Sequence, residues 1–340
     1  MKSTESIKAQ FSGLSKQDKE LLLGELLQEL ELEESLLDKV KVKLPRTKKP
    51  CPHCQSTSVF KRGKQNNVQM YSCKTCSKWY SETTGTPLSG IQLKDKWQSY
   101  LHCMEQGMPI KKIAKELGIS IQTSFDWRHK ILSSMNDLAP TELKGIVECD
   151  ELELPINEKG NKNLDRKPRK RSSDFKRNQG KGIDTVVQIV TAVERGGSKY
   201  LKAVQTKRLD KKNIKQVFED KLTKGTTLIT DKHHSYKSYA KDNAEIKHKT
   251  VKADKHVDAS DKSIHLQLVN NTHKQLRDFI RPFNGVSSKY LQNYLNWFAY
   301  QKQIKEKKET LMQWLITIIL SDSAYHLFCL FKENAVLIRT

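Results

Sequence analysis

Along the chain the period of the apolar positions changes several times, and each change predicts a different element. Leu22, Leu23, Leu26, Leu27, Leu30 and Leu37 recur at helical spacing within residues 15–40, and Ser15 stands three residues before Asp18 in a capping-box-like start. An amphipathic helix with a mostly acidic outer face is expected there, packed on its own domain or against a partner helix. Residues 41–50 are basic, contain Pro45 and Pro50, and read as a linker. Helical spacing returns over residues 93–135. Trp97, Leu101 and Met104 mark one helix, Ile113, Ala114 and Leu117 a second, and Phe125, Trp127 and Ile131 a third. Pro109 suits a first helical turn, Gly118-Ile119-Ser120 makes a tight turn, and Ser120 is placed to cap the last helix. This is helix-turn-helix grammar, with an ordinary helical pair as the alternative.

Beyond Pro140 short apolar runs take over. Residues 146–154, 185–193, 199–206 and 226–230 read as strands, residues 211–222 as a helix, and residues 245–251 as a fifth strand. The turn at Gly196-Gly197 implies an antiparallel portion, and the mixture indicates an α/β domain. A further helix runs from near Asn270 to just before Pro282, with Leu276, Phe279 and Ile280 on its inner stripe. Asn270, His273 and Arg277 recur at three and four residues on another face. The stretch from Leu311 to Thr340 is apolar and helical in pattern, but its longest apolar run, Leu315 to Leu320, ends at Ser321-Asp322-Ser323, short of a membrane span.

Charge narrows the partner. A formal net charge of +22 over 340 residues gives a positive field that favours polyanions through counterion release, so nucleic acid is expected. No secretory signal pattern or lipidation motif is seen, which predicts a cytoplasmic protein. Of the 7 cysteines, Cys51 and Cys54 pair with Cys73 and Cys76 in a C-x2-C, spacer, C-x2-C arrangement, whereas Cys103, Cys149 and Cys329 stand alone. The paired spacing lets each knuckle bring two sulfurs to one ion, and four protein ligands leave no open position, so a structural zinc is expected. On the helix after Ser120, Gln122, Arg128 and Lys130 take outer positions where they would meet bases or phosphates. Residues 159–181 lack an apolar face and read as a basic loop in which Lys167, Arg169, Lys170 and Arg171 would grip phosphate.

Phosphodiester chemistry needs hard oxygen ligands converging from separate elements. Asp150 lies on the first strand of the α/β region and Asp231 directly follows the strand of residues 226–230, each positioned to reach a shared cleft. A single aspartate at a strand end is more often a turn or cap residue, so neither alone marks a site. Glu151 alternates away from Asp150 and reads as a supporting group behind the site.

The motifs, taken in order, resemble the transposases of the IS1595 insertion-sequence family in its ISXO2-like group. They are Cys51-Pro-His-Cys54, Tyr71-Ser-Cys-Lys-Thr-Cys76, Thr83-Thr-Gly-Thr-Pro87, Trp97, Ala114-Lys-Glu-Leu-Gly-Ile-Ser120 and Trp127-Arg-His-Lys-Ile-Leu132, followed by Cys149-Asp-Glu151, Thr230-Asp-Lys-His-His-Ser-Tyr236, His265-Leu-Gln267, Val269-Asn270, Gly285-Val286 and Tyr290-Leu-Gln-Asn-Tyr-Leu-Asn-Trp297. The resemblance implies an RNase H-like catalytic fold in which Asp150 and Asp231 bind divalent metal, magnesium or manganese. It also implies that Asn270 and His273 stand where most such enzymes carry a third carboxylate. His273 would be a metal ligand or a proton acceptor for the attacking water.

The expected organisation is an N-terminal helix (1–45), a zinc ribbon (46–90), a helix-turn-helix (91–140), an RNase H-like catalytic domain (141–300) and a helical tail (301–340). The expected activity is metal-dependent strand cleavage and transfer at DNA ends, by a dimer or larger assembly. A DNA-binding regulator with an inactive catalytic domain and a nuclease that never joins strands are the rival readings.

Overall fold

The computed structural model describes residues 50–307, apart from 66–67, 82–83, 85–88, 90, 92, 94, 136–138, 162, 164–185, 205–208, 220, 253–256 and 259. The N-terminal leucine helix, the phosphate-gripping positions Lys167, Arg169, Lys170 and Arg171, and the tail beyond residue 307 lie outside the described residues. The chain divides into two units, Met1–Glu82 and Thr83–Thr340. Among the described residues no helix is long and apolar enough to cross a membrane.

The first unit contains a three-stranded antiparallel sheet of β1 (Val59–Gln65), β2 (Val68–Cys73) and β3 (Trp79–Ser81), in that order. Side chains alternate across it as a pleated strand requires. Val59, Tyr71, Cys73 and Tyr80 turn inward with Cys51 to form the small core, in which Tyr71 and Tyr80 stack with centroids 5.3 Å apart. Phe60 and Trp79 remain exposed.

The second unit opens with α1 (Asp95–Glu105), α2 (Ile110–Glu116) and α3 (Ile121–Ser134). Ser120 caps α3 by accepting from the Thr123 N–H at 2.9 Å, and Gly118 takes the left-handed conformation (φ +59°) that lets the chain turn between α2 and α3. Trp97 and Tyr100 meet Trp127 edge-on and knit α1 to α3.

Arg128, expected on the outer face of α3, is instead fully buried. Its guanidinium lies over the rings of Trp297 and Phe283, at 4.8 and 5.7 Å, and donates to the Met108 carbonyl. A polar residue looks outward in a sequence, but the aromatic surface of a distant helix gives this one a place inside. Lys130 is half-buried and donates to the Ser89 carbonyl, whereas Gln122 is exposed and donates to Asp126.

A five-stranded mixed sheet forms the body of this unit. Its strands are β4 (Ile146–Pro155), β5 (Val186–Glu194), β6 (Lys199–Val204), β7 (Thr227–Thr230) and β8 (Lys247–Thr250), in the order β6-β5-β4-β7-β8. β4, β5 and β6 pair antiparallel, while β7 and β8 run parallel to β4 and to each other. β5 is buried at nearly every position, the mark of a strand covered on both faces.

On one face Val147, Cys149, Val190 and Ala192 pack against Ile214 and Phe218 of α4 (Lys211–Phe218) and Tyr236 and Tyr239 of α5 (His234–Asp242). On the other, Leu152, Ile189 and Leu201 meet Leu276 of α6 (Gln267–Ile280) and Leu291, Leu295 and Phe298 of α7 (Leu291–Lys307).

Candidate metal centres and active site

The four paired cysteines come together. Their sulfurs all lie within 4.8 Å of one another, with Cys51 and Cys76 at 3.6 Å and Cys54 and Cys73 at 3.5 Å. Sulfurs bound tetrahedrally to zinc at about 2.3 Å stand about 3.8 Å apart, so the donor set fits such an ion.

Both knuckles are built the same way. The Cys51 N–H donates to the Ser56 carbonyl and the Cys73 N–H to the Lys78 carbonyl. The residue after each second cysteine, Gln55 (φ +59°) and Ser77 (φ +57°), adopts the left-handed conformation. Backbone N–H groups of Cys76 and Thr75, aimed at the Cys73 sulfur, draw its thiol down to about 6, so a thiolate forms readily there.

A second cluster is built of oxygen. Asp150, Glu151 and Asp231 each offer an oxygen within a span of 4.8 Å. The sheet explains why. The parallel ladder between β4 and β7 runs from Ile146/Thr227 to Glu148/Ile229, and Asp150 and Asp231 lie just beyond its last rung. The carboxyl ends of parallel strands are where open α/β sheets form their binding crevices.

Burial raises the Asp150 carboxyl to about 7, with the Glu151 and Asp231 charges adding to the effect. The Glu151 carboxyl is also raised, by burial and then by Asp231, although the Tyr236 hydroxyl donates to it at 3.1 Å. The Asp231 carboxylate accepts from the His233 N–H at 2.8 Å, at the start of α5. Three half-buried carboxylates with little to neutralise them favour a hard divalent cation.

Glu151 thus belongs with Asp150 and Asp231 and does not stand behind them. Strand alternation alone placed it on the opposite face, but beyond the last β7 rung Asp231 comes within reach of both neighbours. His273 does not join the carboxylate set among the described residues. It lies on the buried face of α6 with Val269, Thr272 and Leu276, and its Nε2 is without a hydrogen-bond partner. Burial, helped by the charge of Arg277, lowers its imidazole to about 4, so it is neutral at physiological pH. Asn270 is half-buried on the same helix.

Glu148 was not singled out from the sequence. Fully buried on β4 two residues before Asp150, it pairs through Oε1 with Arg195 and with His265 Nδ1, each at 3.1 Å. Its Oε2 accepts the backbone N–H groups of Leu268 and Val269, at 2.8 and 3.3 Å. Leu266 offers α6 no side-chain cap, so Glu148 supplies one from across the fold. A charged residue amid the apolar Ile146, Val147 and Cys149 was the available signal.

Residues 142–303 match the family model of the ISXO2-like transposase domain. A curated relative, described as an uncharacterised protein in transposable element ISH50 of Halobacterium salinarum, is 24% identical over 274 residues, covering 79% of this chain and 91% of that one. Among solved structures, a pre-cleavage Mos1 transpososome shares 10% identity at a TM-score of 0.28, covering 66% of this chain and 78% of that one. A Mos1 transposase paired-end complex with left transposon end shares 10% identity at 0.27, covering 70% and 79%. Both TM-scores lie well below 0.5, so these likenesses establish neither fold nor partner. The three carboxylates all lie within the segment that matches the ISXO2-like transposase domain.

Proposed function

We propose that this chain is the transposase of an insertion sequence, binding the element's terminal inverted repeats and catalysing DNA strand cleavage and strand transfer. The observation that carries the reading is the convergence of Asp150, Glu151 and Asp231 at the carboxyl ends of two parallel strands, inside a segment that matches a transposase domain. An RNase H-like fold is supported by the central position of β4, with two antiparallel strands on one side and two parallel strands on the other.

Asp150 and Asp231 hold magnesium or manganese in this reading, with Glu151 beside them. When bound, such an ion polarises the scissile phosphate and activates the attacking oxygen. Asn270 and His273 of α6 supply the third element in this reading; burial keeps His273 neutral, with a lone pair for a metal ion, and makes it a weaker proton acceptor than a free imidazole. Glu148 fixes the start of α6 against the strand that bears Asp150.

The four cysteines hold a structural zinc, and α2 and α3 form a helix-turn-helix. Ile121 and Gln122 are exposed at the start of α3, the end that reaches base edges in such motifs. Lys130 and the basic positions Lys167, Arg169, Lys170 and Arg171 contribute phosphate contacts. Arg128 has no part in them, because it is buried. The element's two ends are handled by at least a homodimer.

Incubating DNA carrying the element's ends with the protein and magnesium or manganese tests the reading. Cleaved and joined products are expected from the wild type, and Asp150→Ala should lower their rate by about 10³-fold. Specific binding of the ends without cleavage in either metal would leave a DNA-binding regulator as the account.

A further inference from the structure

The first unit has a face that its metal-centred core does not require. Register sets Phe60 opposite Ser72 and Ser72 opposite Trp79, so these three lie in one row across the sheet. The neighbouring row, with Tyr71 and Tyr80, faces the core. Phe60 is 47% exposed and Trp79 61% exposed, against 8% for Tyr71 and 3% for Tyr80.

Cations are set among the exposed rings. The Arg62 guanidinium lies 5.6 Å from the Phe60 centroid and 5.8 Å from that of Trp79, and its Nε donates to the Ser72 hydroxyl at 3.0 Å. The Lys74 ammonium lies 4.2 Å from the Phe60 ring. Residues 50–81 carry Lys61, Arg62, Lys64, Lys74 and Lys78, and no aspartate or glutamate.

From this arrangement we infer that the outer face of the three-stranded sheet is a platform for unpaired DNA bases. Rings exposed beside cations match the two needs of single-strand binding: a π-face for the base and a positive charge for the backbone phosphate. A stacked duplex hides its base faces and would leave the rings without a partner. A protein partner would be expected to meet a patch depleted of charge at its centre, and here Arg62 lies between the rings. The platform rests on the transposase reading for the source of its DNA, unpaired nucleotides at element ends or target, but its chemistry does not depend on the carboxylate site.

Fluorescence anisotropy of the zinc-loaded full chain, with oligothymidylate of about 12 nucleotides and with duplex of equal length, tests the inference at fixed salt. Phe60→Ala and Trp79→Ala should each weaken oligothymidylate binding about tenfold and duplex binding less than about twofold. Phe60→Tyr and Trp79→Phe should restore it, because they keep the ring. Zinc stoichiometry reports folding of each variant, since both side chains point away from the cysteines' core.

Unchanged oligothymidylate affinity in both alanine variants that retain zinc would overturn the platform, as would equal losses on the two DNA forms. Loss of self-association by sedimentation, without loss of DNA binding, would overturn it in favour of a protein interface. Absence of cleavage by the wild type would defeat the transposase reading and leave the oligothymidylate result standing.

Discussion

The sulfur cluster of the first unit and the oxygen cluster of the second are both sets of side chains that could hold a metal ion, and they are made in opposite ways. Cys51, Cys54, Cys73 and Cys76 come from two short knuckles, each closed by its own backbone hydrogen bonds. Asp150, Glu151 and Asp231 come from two strands brought together by a parallel ladder. The thiol set is complete with four soft ligands and suits a metal that holds structure. The carboxylate set has three hard ligands, which leaves positions for water and phosphate. The first site thus makes its fold, whereas the second is made by its fold.

Removing each metal should separate them most sharply. Stripping zinc with a chelator, or replacing Cys73 with serine, should melt β1, β2 and β3, because the small core they share is built of Val59, Tyr71 and Tyr80 around Cys51 and Cys73. Structural zinc contributes on the order of 10 kcal/mol to folding in such small units. Amide exchange is the measurement: the β1–β3 amides should lose protection while those of β4 and β5 keep theirs. Retained protection in the stripped protein would show that the sheet stands without the metal.

Glu148 gives the next largest effect and belongs to the second site alone. Truncation to alanine removes the partner of Arg195 and His265 and uncaps α6, a loss of about 3 kcal/mol. Glu148→Gln keeps an acceptor for the Leu268 and Val269 N–H groups and should cost less. Urea unfolding checks the magnitude, and exchange at the first turn of α6 checks its cause. A Glu148→Ala variant within about 1 kcal/mol of the wild type would remove the anchor from this account.

What the sequence showed and what it hid follow the same division. The cysteine knuckles were legible because their ligands are two residues apart, and β4, β5 and β7 because their apolar runs are buried. Asp150 and Asp231 were legible as strand-end carboxylates. Glu148 and Arg128 were not, because the partners that give them a place inside lie far along the chain, at Arg195, His265, Leu268 and Trp297. His273 was assigned to a face apart from the apolar stripe, yet helical geometry puts it beside Val269 and Leu276. Period and local grammar reveal elements and local ligands, whereas a cap or a counter-ion supplied from another element leaves only an odd residue in an apolar run.

The smallest effect is the pH dependence of the carboxylate site. Burial and the neighbouring carboxylates hold Asp150 at about 7 without metal, above its ordinary value of 3.8. The folded chain therefore keeps this proton more tightly than the unfolded chain. Its contribution to stability is fully present below pH 3.8 and is lost as pH rises through about 7. A divalent cation must displace the same proton, so its affinity should fall by up to about tenfold per pH unit below 7, about 1.4 kcal/mol per unit. Calorimetric titration with manganese across pH 5–8 measures both the affinity and the proton released. Asp150→Asn should bind metal more weakly and lose most of the pH dependence, and an unchanged slope in that variant would assign the proton to Glu151 instead. The cysteine set is closed by four soft ligands, so zinc in the first unit should be retained across the range where the carboxylates release their ion.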